Sequence, residues 1–248
     1  MPWTFDTEIP FYICDYTDHL SAWSLARIFQ DAADSHTEHF NVGFSSLMQH
    51  DLAWVLSRIH YRYWAMPKAL QHVHVRTWSR RADRLCAIRD TEMVDERGNV
   101  LAASTSMWVV MGMKSRKVVH MLPEVINFAH EPRMATDIDA LNKIKLPPMN
   151  EEHLMSCFAA QHSAIDHNLH VNNSDYIRWI VDALKTPEDK ALQDSVQIES
   201  LEINYFMETR QSEEVKVYMQ PSQEDHCTRL FELSNPRGIA TTAIVKLK

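Results

Sequence analysis

The sequence predicts an α+β protein built from two copies of one unit, each a helix followed by a run of antiparallel strands that wraps it. Three observations predict this: an internal repeat, the same helix-then-strands order in both halves, and a glycine turn common to the two. The repeat appears when residues 59–68 (Ile-His-Tyr-Arg-Tyr-Trp-Ala-Met-Pro-Lys) slide by 142 positions onto residues 201–210 (Leu-Glu-Ile-Asn-Tyr-Phe-Met-Glu-Thr-Arg). Tyr63 then meets Tyr205, Trp64 meets Phe206 and Lys68 meets Arg210, while Val73 and Val75 fall on Val215 and Val217. A duplication settles architecture before any single element is assigned, because each copy has the same apolar face to bury.

In chain order, Ser21 is placed to cap a helix in which Leu25, Ile28, Phe29, Ala32 and Ala33 recur at helical spacing. Alternating apolar positions follow, as expected of half-buried strands. Arg97-Gly98 matches Arg237-Gly238 at an offset of 140, and each glycine lies between two alternating runs where a hairpin needs a positive φ. The chain has only 4 glycines, so two of them in this one turn carry weight. Between the halves, Leu122-Pro123, Pro132 and Pro147-Pro148 interrupt the pattern. The expected organisation is an N-terminal repeat over 1–113, a linker over 114–152 and a C-terminal repeat over 153–248. In the second repeat Ile177, Ile180, Val181 and Leu184 form the helical stripe, with Asn172 and Asn173 available to cap it. A helix with one apolar stripe buries it against the sheet that follows, and two such units could pair their sheets into one long sheet.

With 248 residues, 45% of them hydrophobic, the chain can bury one large core or two smaller ones. A formal net charge of -8 argues against broad attachment to nucleic acid or to an anionic membrane surface, so an acidic partner would have to meet a local basic patch. Residues 1–16 lack a cationic start, an apolar run and a cleavage site, and no later segment reaches the length of a membrane span; a soluble, cytoplasmic protein is expected. Cys14, Cys86, Cys157 and Cys227 are scattered singly, without the close pairs of a metal or redox motif. Of the 14 histidines, His36 and His39 would share neighbouring turns of a helix, but no carboxylate lies in metal spacing. Neither a metal nor another cofactor is expected.

The candidate chemistry lies in residues 166–173, Asp-His-Asn-Leu-His-Val-Asn-Asn. Asp166, Asn168 and His170 are spaced by two, which in an extended loop would point a carboxylate, an amide and an imidazole the same way. The loop runs into a helix N-terminus, where free N–H groups at Asn172, Asn173 and Ser174 favour developing negative charge. The same residue types are also ordinary capping and turn residues, and Glu208, near a strand end, could equally be a solvated carboxylate.

The pattern His-Val-Asn-Asn-x-x-Tyr-Ile-x-Trp at 170–179, preceded by Asp166 and Asn168, resembles the catalytic loop and following helix of plant and bacterial acyl-acyl carrier protein thioesterases. Trp54-Val-Leu-Ser-Arg58, Val75-Arg-Thr-Trp78 and Ser106-Met-Trp-Val109 are similar to that family as well, and the resemblance runs from about Phe11 to Val245. It implies a tandem, or double, hot-dog fold with one active site in the second half. Asp166, Asn168 and His170 match the family's Asp-x-Asn-x-His, and Glu208 matches the strand carboxylate of its Tyr-x-x-Glu. One position departs: plant members commonly carry a cysteine after that Glu, and this chain has Thr209. Direct attack by water is therefore expected rather than a covalent cysteine route. In the first half Met66 stands where Glu208 does, and Thr17 where Asn168 does, although Asp15 and His19 are retained. The first copy is expected to be a scaffold whose helix, with Trp54 to Leu56, lines the acyl pocket.

On this reading Glu208 is the general base on water, Asn168 holds the water or the carbonyl, His170 polarises or orients, and Asp166 fixes the loop and the imidazole tautomer. The partner implied is acyl carrier protein, an acidic protein, and the candidate docking cations are Arg76, Arg80, Arg81 and Arg84, with Lys114, Arg116 and Lys117. A homodimer is compatible with the sequence, although the duplication already supplies within one chain the pairing that single units obtain by dimerising. The competing expectations are an acyl-coenzyme A thioesterase, a hydroxyacyl dehydratase on the same fold, and a noncatalytic acyl-binding sensor.

Overall fold

The computed structural model of the chain describes residues 2–128, 130–184 and 197–248. They form two compact units, Met1–Asn142 and Lys143–Lys248.

The first unit contains β1 (Trp3–Glu8), α1 (Ala22–His39), α2 (Phe44–Met48), β2 (Leu52–Tyr63), β3 (His72–Ala82), β4 (Ala87–Asp95), β5 (Val100–Gly112), β6 (Val118–Val119) and α3 (Pro123–Ile126). The second contains β7 (Leu154–Ala159), α4 (Asn173–Leu184), β8 (Ile198–Tyr205), β9 (Glu214–Pro221), β10 (Thr228–Asn235) and β11 (Gly238–Leu247). Within the first unit the strands lie in the order β1-β3-β4-β5-β2, and within the second β7-β9-β10-β11-β8, which is the same order copy for copy. All these pairs are antiparallel where their register is defined. The register repeats too: Val75 opposes Met93 in the first unit, and Val217 opposes Leu233 in the second. All four side chains are completely buried.

Ser21 caps α1 as expected, its side chain accepting the Ser24 N–H at 3.3 Å. The buried face of the helix carries Leu25, Ala26, Phe29, Ala32 and Ala33. Burying a side chain such as Leu25 or Phe29 contributes roughly 1.5–3 kcal/mol. In α4 the buried stripe is Tyr176, Ile177, Trp179, Ile180 and Ala183; Val181 and Leu184, expected inside, are only half-buried. Tyr176 and Trp179 occupy buried positions that counting over aliphatic residues alone leaves out. Gly98 and Gly238 have φ of 83° and 133°, so both hairpin turns use the left-handed freedom of glycine.

Residues 114–152 carry β6, α3 and a short 3-10 turn, Glu151–His153. Residues 130–142 are strapped onto the first unit by polar contacts. Trp78 Nε1 donates to Arg133 O at 2.8 Å, the Arg133 guanidinium lies 4.0 Å above the Trp78 ring, and Arg58 Nη1 donates to Leu141 O at 2.7 Å. Arg80 and Asp90 form a buried ion pair beneath this strap, with Nε and Oδ2 3.4 Å apart. Burial pushes the Asp90 carboxyl up, opposed by the Thr105 hydroxyl and the Arg80 charge.

Candidate active site

The chain enters the site through a 3-10 turn, His162–Ala164, and then folds back on itself. Ile165 and Val171 pair as an isolated antiparallel bridge, Asp166 N–H donates to His170 O at 2.9 Å, and Leu169 takes a φ of 65°. The loop is thus a closed turn rather than the extended segment expected, and its side chains do not alternate as they would on a strand. What organises it is Asp166, whose Oδ1 accepts the Asn168 N–H at 2.8 Å in an Asx turn. The first unit has the same skeleton: Asp15 N–H donates to His19 O at 2.7 Å, Thr17 N–H to Asp15 Oδ1 at 2.8 Å, and Asp18 takes a φ of 61°.

His170 and Glu208 are brought together, with Nε2 and Oε1 3.8 Å apart and both side chains about three-quarters buried (23% and 28% exposed). The other ring nitrogen, Nδ1, lies 3.1 Å from Val171 O, which can only accept. Nδ1 therefore carries a proton, and in the neutral ring the lone pair is on Nε2, facing Glu208. Asp166 Oδ1 is farther from Nδ1, at 3.9 Å. The Val171 carbonyl is thus the nearer acceptor for Nδ1, and Asp166 Oδ1 is engaged by the Asn168 N–H. The Asn168 side chain is exposed.

Of the three N–H groups expected to stabilise an oxyanion, two are already bonded. Asn172 N–H donates to Ala164 O at 2.9 Å, and Ser174 N–H to Asn172 Oδ1 at 2.9 Å. Among the described residues, only the Asn173 N–H of the three has no such bond. Asn172 is the residue that caps α4, since its Oδ1 also accepts the Ser174 hydroxyl at 2.7 Å.

Sequence reasoning missed Thr209 as a structural centre. It is 1% exposed; its carbonyl accepts the Val171 N–H at 2.8 Å and its Oγ1 accepts Tyr176 OH at 2.9 Å. Thr209 thus ties the chain that carries Glu208 to both the His170 loop and α4. Burial pushes the Tyr176 phenol up to about 12, so it stays a donor at neutral pH. The one available signal was that Thr209 lies directly after Glu208 in a repeat whose first copy has proline there.

Two family models match the chain, the acyl-ACP thioesterase N-terminal domain over residues 3–129 and the C-terminal domain over residues 148–246. The chain belongs to the acyl-ACP thioesterase family. Oleoyl-acyl carrier protein thioesterase 2 of Arabidopsis thaliana, a chloroplastic protein, is 26% identical over 207 residues, covering 77% of this chain and 55% of that one. A chloroplastic palmitoyl-acyl carrier protein thioesterase of Gossypium hirsutum is 28% identical over 197 residues, covering 75% and 46%. The chain thus spans between about half and three-fifths of the length of such relatives. An acyl-ACP thioesterase from Bacteroides thetaiotaomicron superposes with a TM-score of 0.86 at 22% identity, covering 99% of this chain and 97% of that one. The 12:0-ACP thioesterase from Umbellularia californica does so with a TM-score of 0.84 at 20% identity, covering 100% and 97%. These likenesses establish the tandem hot-dog fold of this acyl-ACP thioesterase family member.

In the first unit a small pocket, open to solvent, is lined by Ala33, Val42, Trp54, Trp108, Val125 and Phe128, with Arg89 among its polar walls. The α1 helix and Trp54, both expected to line a pocket, contribute to it. His36, on the same helix, accepts from Arg89 Nη1 at 2.9 Å through Nδ1. Among the described residues no cluster of three or more His, Cys, Asp or Glu could hold a metal, and no helix is long and apolar enough to cross a membrane.

The expected docking cations separate. Arg80 is 5% exposed and gives its guanidinium to Asp90, Ile138 O and Asp139 O, so, contrary to expectation, it offers no charge to a partner. Arg76 pairs with Glu92 at 3.4 Å and Arg81 with Asp139 at 3.1 Å, while Arg84 Nη2 lies 3.2 Å from His120 Nδ1. Lys114 pairs with Asp51 at 3.5 Å while 88% of its side chain is exposed; Arg116 and Lys117 lie in the same exposed turn.

Proposed function

We propose that this chain hydrolyses the thioester of a fatty acyl chain carried on acyl carrier protein, releasing free fatty acid and holo-carrier. The observation that carries this reading is the approach of the Glu208 carboxylate to His170, in the loop that leads into α4. Glu208 takes a proton from water, and the hydroxide adds to the thioester carbonyl carbon. The tetrahedral oxyanion is met by the Asn173 N–H, while the Asn168 side chain, at the surface, stays outside this step. Collapse breaks the C–S bond, and the departing thiolate takes back the proton held on Glu208, through His170 where the ring bridges the two. Asp166 keeps the loop closed, and the electron pair of the broken bond leaves on sulfur, so no cofactor enters the balance. A positioned base typically contributes about 10²–10⁴ in rate.

The basic residues left for an acidic carrier are Arg81 and Arg84, with Lys114, Arg116 and Lys117, the exposed members of the two clusters. Screening makes such docking salt-sensitive.

Thiol release across carrier-bound acyl chains of graded length, with matching coenzyme A esters in parallel, tests the reading. Release from the carrier esters with a steep loss of kcat/KM on added salt is expected. Release from coenzyme A esters alone would transfer the activity to an acyl-coenzyme A thioesterase. Water loss from a hydroxyacyl chain without thiol release would make it a dehydratase, and binding without either reaction a sensor.

A further inference from the structure

The turn that joins β10 to β11 shares an Asx hydrogen bond with its counterpart between β4 and β5, and one of the differences between them bears on Glu208. In the first unit Asp95 Oδ1 accepts the Arg97 and Asn99 N–H groups at 2.9 and 2.8 Å, and its Oδ2 accepts the Asn99 side-chain amide at 2.8 Å. In the second, Asn235 Oδ1 accepts the Arg237 N–H at 2.9 Å, the same Asx turn. Asn235 stands where the first copy has Asp95, so an NH₂ replaces a carboxylate oxygen.

That NH₂ donates to the main-chain carbonyl of Glu208 at 2.9 Å and to Thr209 Oγ1 at 3.1 Å. Arg237 Nη2 donates to the same Glu208 carbonyl at 2.5 Å and pairs with Glu213 at 3.0 Å. A carboxylate at position 235 could accept in this place but not donate. The donor therefore occurs in the copy that carries Glu208, while the copy with Asp95 has Met66 in the equivalent position.

Glu208 also needs such support. It lies beyond the last residue of β8, in irregular chain, so no strand ladder orients its peptide. A misplacement of a catalytic group by about 1 Å can cost about 10²-fold in rate.

We infer that Asn235 and Arg237 are positioning residues for Glu208, holding its carbonyl so that the carboxylate stays opposite His170. The inference rests on the assignment of Glu208 as the base, and a double-mutant cycle separates the two. Arg237 is exposed, so Arg237→Ala should fold, and Asn235→Asp copies the first unit's own turn.

In steady-state thiol release, Arg237→Ala and Asn235→Asp are expected to lower kcat by about 10- to 100-fold with KM changed by less than about twofold. Arg237→Lys, which keeps a donor, should recover part of the loss. In a Glu208→Gln background Arg237→Ala should cause no further loss, since the group it orients is gone. Normal kcat in both turn variants, with Glu208→Gln inactive, would overturn the inference and leave the base assignment standing. So would an undiminished effect of Arg237→Ala in the Glu208→Gln background. Near-native kcat in Glu208→Gln alone would remove the base assignment and the inference together.

Discussion

His170 Nε2 faces Glu208 Oε1 across 3.8 Å, and the two residues reach this position from different parts of the second unit. One comes from a turn closed by its own backbone, the other from the chain leaving β8. Their separation is set by Thr209, whose carbonyl takes the Val171 N–H next to His170. The distance exceeds a direct hydrogen bond. In the reaction proposed, the two exchange a proton through a reacting group rather than by a static contact.

Thr209→Ala removes the acceptor of Tyr176 OH and of Asn235 Nδ2, both in buried surroundings. Leaving such donors unpaired costs about 1–3 kcal/mol each. A urea unfolding midpoint well below that of the native protein is expected, with Thr209→Ser close to native. An unchanged midpoint in Thr209→Ala would show that these bonds contribute nothing net.

The reaction proposed needs no thiol. Cys157 and Cys227 are exposed, Cys14 and Cys86 are partly buried, and no cysteine lies in residues 166–173 or next to Glu208. A variant with all four cysteines replaced by serine or alanine should keep its turnover, and alkylating the native protein should not abolish it. Loss of turnover in the folded cysteine-free variant would revive a covalent route.

His36 makes the first unit acid-sensitive. Burial first, then the neighbouring Arg89 charge, lowers its pKa from 6.5 to about 3. Between these values the unfolded chain binds a proton that the folded one does not, so stability rises with pH across this window. The contribution is complete above about pH 6.5 and declines as pH falls towards 3. Thermal melting of the native protein should therefore fall between pH 7 and pH 5 more steeply than that of His36→Gln. Parallel curves for the two would contradict a neutral, Arg89-bonded ring.

Much of the fold was legible because duplication wrote it twice. The match of Tyr63 with Tyr205, and of Val73 and Val75 with Val215 and Val217, anticipated strands that do share order and register. The glycines at 98 and 238 announced their turns. The segment 114–152 was harder to read, since its prolines mark interrupted periodicity equally well in a free connector and in a strap held by Trp78 and Arg58. Arg80 illustrates a similar limit: a run of arginines gives the charge but not the burial, which depends on Asp90 on the adjacent strand. The geometry of the 166–173 loop was not legible. Spacing by two suggested a common direction for Asp166, Asn168 and His170, but the Asx turn at Asp166 bends the loop and sends the Asn168 side chain to the surface. The bonds from Asn235 and Arg237 to the Glu208 carbonyl are contacts between side chains and main chain across 27 and 29 residues, which no local pattern encodes.

The turnover number of Glu208→Gln for thiol release from acyl carrier protein, with its melting temperature measured on the same sample, bears most directly on the whole account. A fall of about 10²–10⁴ in kcat with unchanged melting is predicted. Near-native turnover in the folded variant would contradict it.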